Sequence, residues 1–477
     1  NPELGSWADV ERLGHEFRLM FDLVINHVSR ECEWFQGFLT GDPAYNEWFI
    51  TIEPGTDLSS VFRPRALPLL TAVETKAGQK LVWTTFSDDQ IDLNFAHPPV
   101  LLRMLEILLL YVEKGARIIR LDAIAYLWKE VGTTSIHLEG THRVVKLMRA
   151  VLDAVAPGVI LITETNVPHE ENISYFGGVD PETGRTDEAQ LVYQFPLAPL
   201  VMHSLLSGDA SLLTNWAAEL ETPAAQATFF NFTASHDGIG VMPARGLLTE
   251  AEIQALVDAT LAHGGRVSFK TNQDGSQSVY ELNISYFDAL SDPAADEPQS
   301  LQVARCVSSQ AIMLALAGLP GIYVHSLLGS RSWQEGVHLT GINRTINRQK
   351  IRRVDLEQEL ADTNSLRYQV FASYRRMLKA RASCAAFLPH GSQQVLVLSR
   401  GVFGLLRTSP DKRCKVACLH SVSDRRQLVQ MYLADHNLPA GAWQDLITGE
   451  VFTAEQGTLP LSLEPYQVRW LGESSCR

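Results

Sequence analysis

Short apolar runs that end in polar residues recur along the chain and alternate with amphipathic helical stretches. Residues 19–25 lead into Asn26 and His27, residues 117–121 into Asp122, and residues 159–163 into Glu164. Residues 229–234 lead into His236 and Asp237, residues 321–324 into His325 and Ser326, and residues 191–195 form a further run. Strand–helix alternation of this kind predicts a parallel sheet. In a closed (β/α)8 barrel the chemistry sits at the carboxyl ends of the strands, which is where these polar residues fall. Six such strands are visible where a closed barrel needs eight. Residues 4–17 read as a helix feeding the first of them, so the first two β/α units are expected to precede residue 1.

Between these runs the pattern changes character. Residues 31–98, rich in aromatic residues, proline and glycine, are expected to form an irregular lid insertion (a B domain) beside the barrel mouth. The expected order is barrel start 1–30, lid insertion 31–98, catalytic barrel 99–237, second insertion 238–300, end of the barrel 301–390 and a small C-terminal β domain 391–477. In the last segment the helical period gives way to strand-like runs such as residues 394–398 and 467–471. The fold class is therefore α/β, a (β/α)8 TIM barrel with a lid insertion and a terminal β domain.

Composition narrows the partners. The net charge of -14 repels a phosphate backbone, which argues against nucleic acid. Arg103 and Glu106 interrupt the longest apolar stretch, residues 101–112, so it predicts a barrel helix and no membrane span. Cys32, Cys306, Cys384, Cys414, Cys418 and Cys476 are scattered without a C-x-x-C pair. That spacing predicts reduced thiols in a cytoplasmic protein, with neither a disulfide framework nor a zinc site.

The strand tips carry the candidate chemistry. Cleaving a glycosidic bond with retention takes one carboxylate that attacks the anomeric carbon and another carboxyl that protonates the leaving oxygen. Asp122, Glu164 and Asp237 stand at the tips of three separate strands. Arg120 lies two residues before Asp122, so strand alternation puts both side chains on one face, where the guanidinium holds the carboxylate ionised. Glu164 follows an apolar strand, and an apolar setting is expected to raise its pKa toward that of an acid. His27 and His236 are placed to donate to sugar hydroxyls. Each of these residues alone is more simply a structural polar group; the set at successive strand ends points to a sugar-processing site.

The strings Asp22-Leu-Val-Ile-Asn26-His27, Arg120-Leu-Asp122-Ala, Ile162-Thr-Glu164 and Ala234-Ser-His236-Asp237 resemble, in order, the four signature regions of the α-amylase family. Val61-Phe-Arg-Pro-Arg65, Phe86-Ser-Asp-Asp-Gln90-Ile-Asp92 and Gly341-Ile-Asn-Arg344-Thr-Ile-Asn-Arg348 resemble its sucrose phosphorylase group. Two further strings, from Glu164 to Phe176 and from Tyr280 to Leu290, are similar to glucosylglycerate phosphorylases. The resemblance implies Asp122 as nucleophile, Glu164 as acid/base and Asp237 as transition-state stabiliser. It implies that Asn26, His27, Arg120 and His236 hold the glucosyl ring and that Phe86 faces the developing positive charge. Gln90, Tyr126 and Arg344 are implied to line the two sides of the cleavage point.

The implied substrates are small molecules: an α-glucoside, inorganic phosphate as co-substrate, glucose 1-phosphate and glycerate, with no metal or other cofactor. Phosphate entering beside carboxylates needs a cation. Arg65 is the first candidate, with Arg331, Arg344 and Arg348 as further ones; for Arg331 and Arg348 a structural ion pair competes strongly. Alternatives on the same scaffold are a sucrose or sucrose 6-phosphate phosphorylase and an α-glucoside hydrolase or transglucosylase. A non-catalytic chain, inactive for want of its first strands, is the alternative from another class.

Overall fold

The computed structural model describes residues 3–272 and 274–473, which form two compact units. The first takes the chain as far as Tyr193, with Pro223–Ala227 and Phe269–Tyr280; the second takes Gln194–Thr222, Thr228–Ser268 and the chain from Glu281 onward.

The first unit is built on parallel strands in the order Leu19–Val24, Ala116–Asp122, Ile160–Thr163 and Leu191–Gln194. Helices Pro98–Glu113 and Glu139–Val155 make the crossovers. The first of these buries Val100, Met104 and Leu108, a stripe at i, i+4 and i+8, and leaves Arg103 and Glu106 paired in solvent. It is thus a barrel helix, as its interrupted apolar run predicts, and no helix among the described residues is long and apolar enough to cross a membrane.

Residues 31–98 are more regular than expected. They hold helix Glu33–Thr40 and a small antiparallel sheet in which Thr51–Ile52 and Leu70–Thr75 flank Gly78–Trp83. Lys76 and Ala77 make a tight hairpin, and Gly78, at φ +102°, supplies the left-handed residue it requires. Ile52, Val61, Leu69 and Trp83 pack as its core. Aromatic richness here marks a small hydrophobic centre in place of an irregular loop.

In the second unit Thr228–Asn231 runs parallel to Leu319–Pro320. The last barrel strand therefore ends at Pro320, short of residues 321–324 where the apolar run placed it, and His325 lies on the short helix Val324–Leu327. Pro320 has no N–H to extend the ladder, and Gly321 closes it by donating to the Asn231 carbonyl at 2.7 Å. Beyond residue 391 the chain is antiparallel. Six strands pair in the order Ser392–Leu396, Val402–Thr408, Lys415–Ser421, Val468–Glu473, Ala442–Asp445 and Val451–Thr453; Gln427–Tyr432 pairs separately with Thr458–Leu463. Leu406, Leu419, Met431, Trp443, Leu461 and Leu471 lie in their shared core.

The cysteines depart from expectation at one position. Cys32, Cys306, Cys384 and Cys418 are free thiols, whereas Cys414 is disulfide-bonded. Cys476 lies outside the described residues.

Candidate active site

In the first unit two strand tips bring Asp122 and Glu164 to one guanidinium. Alternation along Ala116–Asp122 points Arg120 and Asp122 the same way, and Arg120 Nη1 donates to Asp122 Oδ1 at 2.6 Å. The same nitrogen donates to Asp22 Oδ1 at 2.6 Å; Asp22 is the in-register neighbour of Arg120 on the adjacent strand. Arg120 Nε donates to the Tyr193 hydroxyl at 2.9 Å, and Nη2 lies 3.8 Å from Glu164 Oε2. Burial opposes the charge on Arg120, but Glu164, Tyr193, Asp122 and Asp22 together raise its pKa, so it stays a cation.

Glu164 extends the ladder one residue past its strand, donating its N–H to the Leu121 carbonyl at 3.1 Å. Ala123 turns to φ +50°, and its N–H then donates to Glu164 Oε2 at 3.2 Å. The apolar setting expected for Glu164 is therefore not found. Its carboxylate faces the Arg120 guanidinium and a backbone N–H, because the neighbouring strand supplies polar groups that its own strand lacks.

Asn26 and His27 sit on a buried electrostatic support. Lys129 Nζ lies 2.7 Å from both Asn26 Oδ1 and Asp92 Oδ2, with both charged side chains out of solvent. Asp92 also accepts from Asn26 Nδ2 at 3.1 Å and from the Thr85 N–H and hydroxyl at 3.0 and 2.6 Å. Burial pushes the Lys129 pKa down, opposed by Asp92. Burial also lowers the pKa of His27, against the pull of Asp92 and Asp122, and so favours a neutral imidazole. His27 Nε2 meets Gln90 Nε2 at 2.7 Å.

Aromatic residues continue from His27. Phe86 packs edge-on to the His27 ring at 5.5 Å and to Tyr126 at 5.2 Å. The Arg65 guanidinium stands 5.9 Å from the Phe86 ring and 4.9 Å from the Tyr280 ring. Nine sequence-predicted residues, namely Asn26, His27, Arg65, Phe86, Gln90, Arg120, Asp122, Tyr126 and Glu164, thus belong to the first unit.

Asp237, His236 and Arg344 belong to the second unit. Arg344 Nη1 lies 2.5 Å from Asp237 Oδ1. Its other edge clasps Glu281, with Nε at 3.0 Å from Oε2 and Nη2 on Oε1. Glu281 comes alongside because Gln277–Asn283 pairs with Ile239–Gly240, two residues beyond Asp237. Gly238 permits that approach: a Cβ there would stand 2.9 Å from the Leu282 carbonyl. Arg348 donates to the His236 carbonyl at 2.6 Å and reaches Asp237 Oδ1 at 3.4 Å. His236 Nε2 lies 3.7 Å from Asp237 Oδ2, its ring half-exposed. Arg331 is a structural ion pair, bonded to Asp288 at 2.8 Å and to Gln302 and stacked on Phe287.

Sequence reading passed over Asp92, Lys129, Tyr193 and Glu281. Tyr193 sits in the one apolar run for which no tip residue was singled out, and Asp92 and Glu281 lie inside quoted motifs. Lys129 carries no local signal.

A model of the α-amylase catalytic domain matches residues 1–238. A glucosylglycerate phosphorylase of Allomeiothermus silvanus is 52% identical over 99% of this chain and 80% of its own length. The glucosylglycerate phosphorylase of Escherichia coli is 43% identical over 98% of this chain and 80% of its own. The crystal structure of a sucrose 6F-phosphate phosphorylase from Thermoanaerobacter thermosaccharolyticum superposes with a TM-score of 0.74 at 23% identity, covering 88% of this chain and 83% of that one, a likeness of fold. With these strand tips and these relatives, the chain belongs to the α-amylase family, in the group that holds the glucosylglycerate and sucrose phosphorylases.

Proposed function

We propose that the protein is a retaining α-glucosyl phosphorylase that converts 2-O-α-glucosylglycerate and phosphate reversibly into α-glucose 1-phosphate and D-glycerate. The observation that carries this reading is the Arg120 guanidinium at 2.6 Å from Asp122 and 3.8 Å from Glu164 on the next strand. One carboxylate is held in place by the guanidinium to act as a nucleophile, with a second carboxyl close by to move a proton. The likeness to named glucosylglycerate phosphorylases supports the choice of substrate.

In the first step an Asp122 oxygen bonds to the anomeric carbon while the bond to the glycerate oxygen breaks, and Glu164 gives that oxygen its proton. In the second a phosphate oxygen attacks the anomeric carbon, the ester to Asp122 breaks, and the proton of hydrogen phosphate returns to Glu164. Asn26 and His27 hold the sugar, and Phe86 faces the developing charge. For Asp237, held by Arg344, and for His236, the roles of transition-state stabiliser and sugar ligand rest on the likeness of their motif to the family's. Arg65 supplies the cation that two anions in turn, phosphate and glycerate, require. Arg344 is committed to Asp237 and Glu281, so it acts by placing the carboxylate.

The test is phosphate release from glucose 1-phosphate with D-glycerate, glycerol, fructose, fructose 6-phosphate or no acceptor. Stimulation by glycerate alone is expected. Stimulation by fructose or its 6-phosphate reassigns the acceptor, and equal release without acceptor makes the protein a hydrolase. Asp122→Asn should abolish glucosyl-enzyme formation; undiminished turnover removes Asp122 from the role.

A further inference from the structure

Behind the strand tips, hydrogen bonds converge on a side chain that touches neither carboxyl group. Asn172 lies on the short helix His169–Ile173, in the loop that follows Glu164, and is 1% exposed. Its Oδ1 accepts from the Thr165 hydroxyl at 2.5 Å, and its Nδ2 donates to the Tyr193 carbonyl at 2.7 Å. Thr165 is the residue after Glu164. The hydroxyl of Tyr193 receives Arg120 Nε, and Arg120 in turn holds Asp122. One amide therefore links the backbone that aims Glu164 to the strand that carries the partner of Arg120.

The chemistry of the position is specific. The side chain must present an acceptor and a donor from one short planar group. An ionised Asp has no N–H for the Tyr193 carbonyl, and an apolar residue would take away both the acceptor of the buried Thr165 hydroxyl and the amide that donates to that carbonyl, a costly change. The segment beyond is anchored too, with the Tyr175 hydroxyl 2.9 Å from His137 Nδ1 and the Ala189 N–H on the Tyr175 carbonyl at 3.0 Å. Loop 164–176 is thus tied at both ends, and Asn172 ties the residue that directly follows Glu164.

Resting on the assignment of Glu164 as acid/base, we infer that Asn172 is a positioning residue for proton transfer: it fixes the direction in which Glu164 meets the leaving oxygen. Its loss should fall on reactions that need the proton and spare those that do not. Glycerate leaves as an alkoxide unless it is protonated, whereas fluoride leaves α-glucosyl fluoride with its electron pair and needs little help.

The experiment compares Asn172→Ala, Thr165→Val and Glu164→Gln with the parent chain on glucosylglycerate and on α-glucosyl fluoride across a pH series, each with azide in place of phosphate, an anion that attacks the glucosyl-enzyme with no proton for Glu164 to take. Misplacing a general acid forfeits part of a contribution of about 10²–10⁴-fold, so Asn172→Ala should lose about 10²-fold in kcat on the glucoside. It should keep the fluoride reaction within a few-fold and shift the pH dependence of glucoside cleavage. Thr165→Val, which replaces only a hydroxyl by a methyl, should show the same split more weakly, and it carries the test if the alanine variant does not fold. Equal losses on both donors, or parental activity on the glucoside, would overturn the inference. Should Glu164→Gln itself show no split between the donors, the acid/base assignment fails instead. Should the parent turn over another α-glucoside in place of glucosylglycerate, the substrate assignment fails, and the same comparison is made on that donor.

Discussion

Replacing Lys129 by Met tests whether the floor under Asn26 and His27 is electrostatic. Lys129 and Asp92 are 2.7 Å apart, with side chains 2% and 0% exposed. Removing one partner of such a buried pair costs about 3–5 kcal/mol, because the remaining charge is left in a low dielectric. After Lys129→Met, Asp92 still accepts from the Thr85 N–H, the Thr85 hydroxyl and Asn26 Nδ2. The loss should therefore sit near the lower end, about 3 kcal/mol. After Asp92→Ala, the ammonium keeps Asn26 Oδ1 but loses its counter-charge, and the Thr85 donors lose their acceptor, so the loss should approach about 5 kcal/mol. Removing both should cost less than the sum of the single losses. Urea unfolding with linear extrapolation measures each value, and the m-values show whether the transitions remain comparable. A Lys129→Met protein within about 1 kcal/mol of the parent, or one less stable than Asp92→Ala, would refute the ranking and the reasoning behind it. The Michaelis constant for the glucosyl donor should rise in both variants, because the residues proposed to grip the sugar lose their support.

Two further outcomes follow from the same geometry. In Arg120→Lys a single ammonium cannot serve Asp22, Asp122 and the Tyr193 hydroxyl together, so kcat for phosphorolysis should fall by about 10²-fold or more, read in steady-state assays; an unchanged kcat would show that the fork is dispensable. His420 is buried between the Phe403 carbonyl and the Trp470 indole N–H, and burial pushes its pKa down to about 4. A depressed folded-state pKa gives stability that is fully present above the unfolded value, about 6.5, and is lost as the pH falls toward the folded one, here up to about 3 kcal/mol. The difference in unfolding free energy between the parent and His420→Gln should therefore change between pH 7 and pH 4, and parallel pH profiles would contradict it.

Local periodicity made part of the site legible. A period of two places Arg120 beside Asp122 whatever the rest of the chain does, and apolar runs ending in Glu164 and Asp237 mark strand tips. The same reasoning failed where the deciding partner lay far along the chain. The apolar run before Glu164 suggested an apolar pocket, but the adjacent strand sets Arg120 against its carboxylate. The run at 321–324 looked like a strand, but pairing with Thr228–Asn231 had already stopped at Pro320.

The sequence by itself determined the class of fold, the candidate carboxylates and the family, because these depend on residue types at short, regular spacings. Only the tertiary structure decided what surrounds them. Lys129 meets Asn26 across 103 positions, Arg120 meets Tyr193 across 73, and Arg344 meets Glu281 across 63. No local spacing encodes such pairs. They form because parallel strands and inserted hairpins bring distant segments to one place, where buried charge must find an opposite charge or a hydrogen bond.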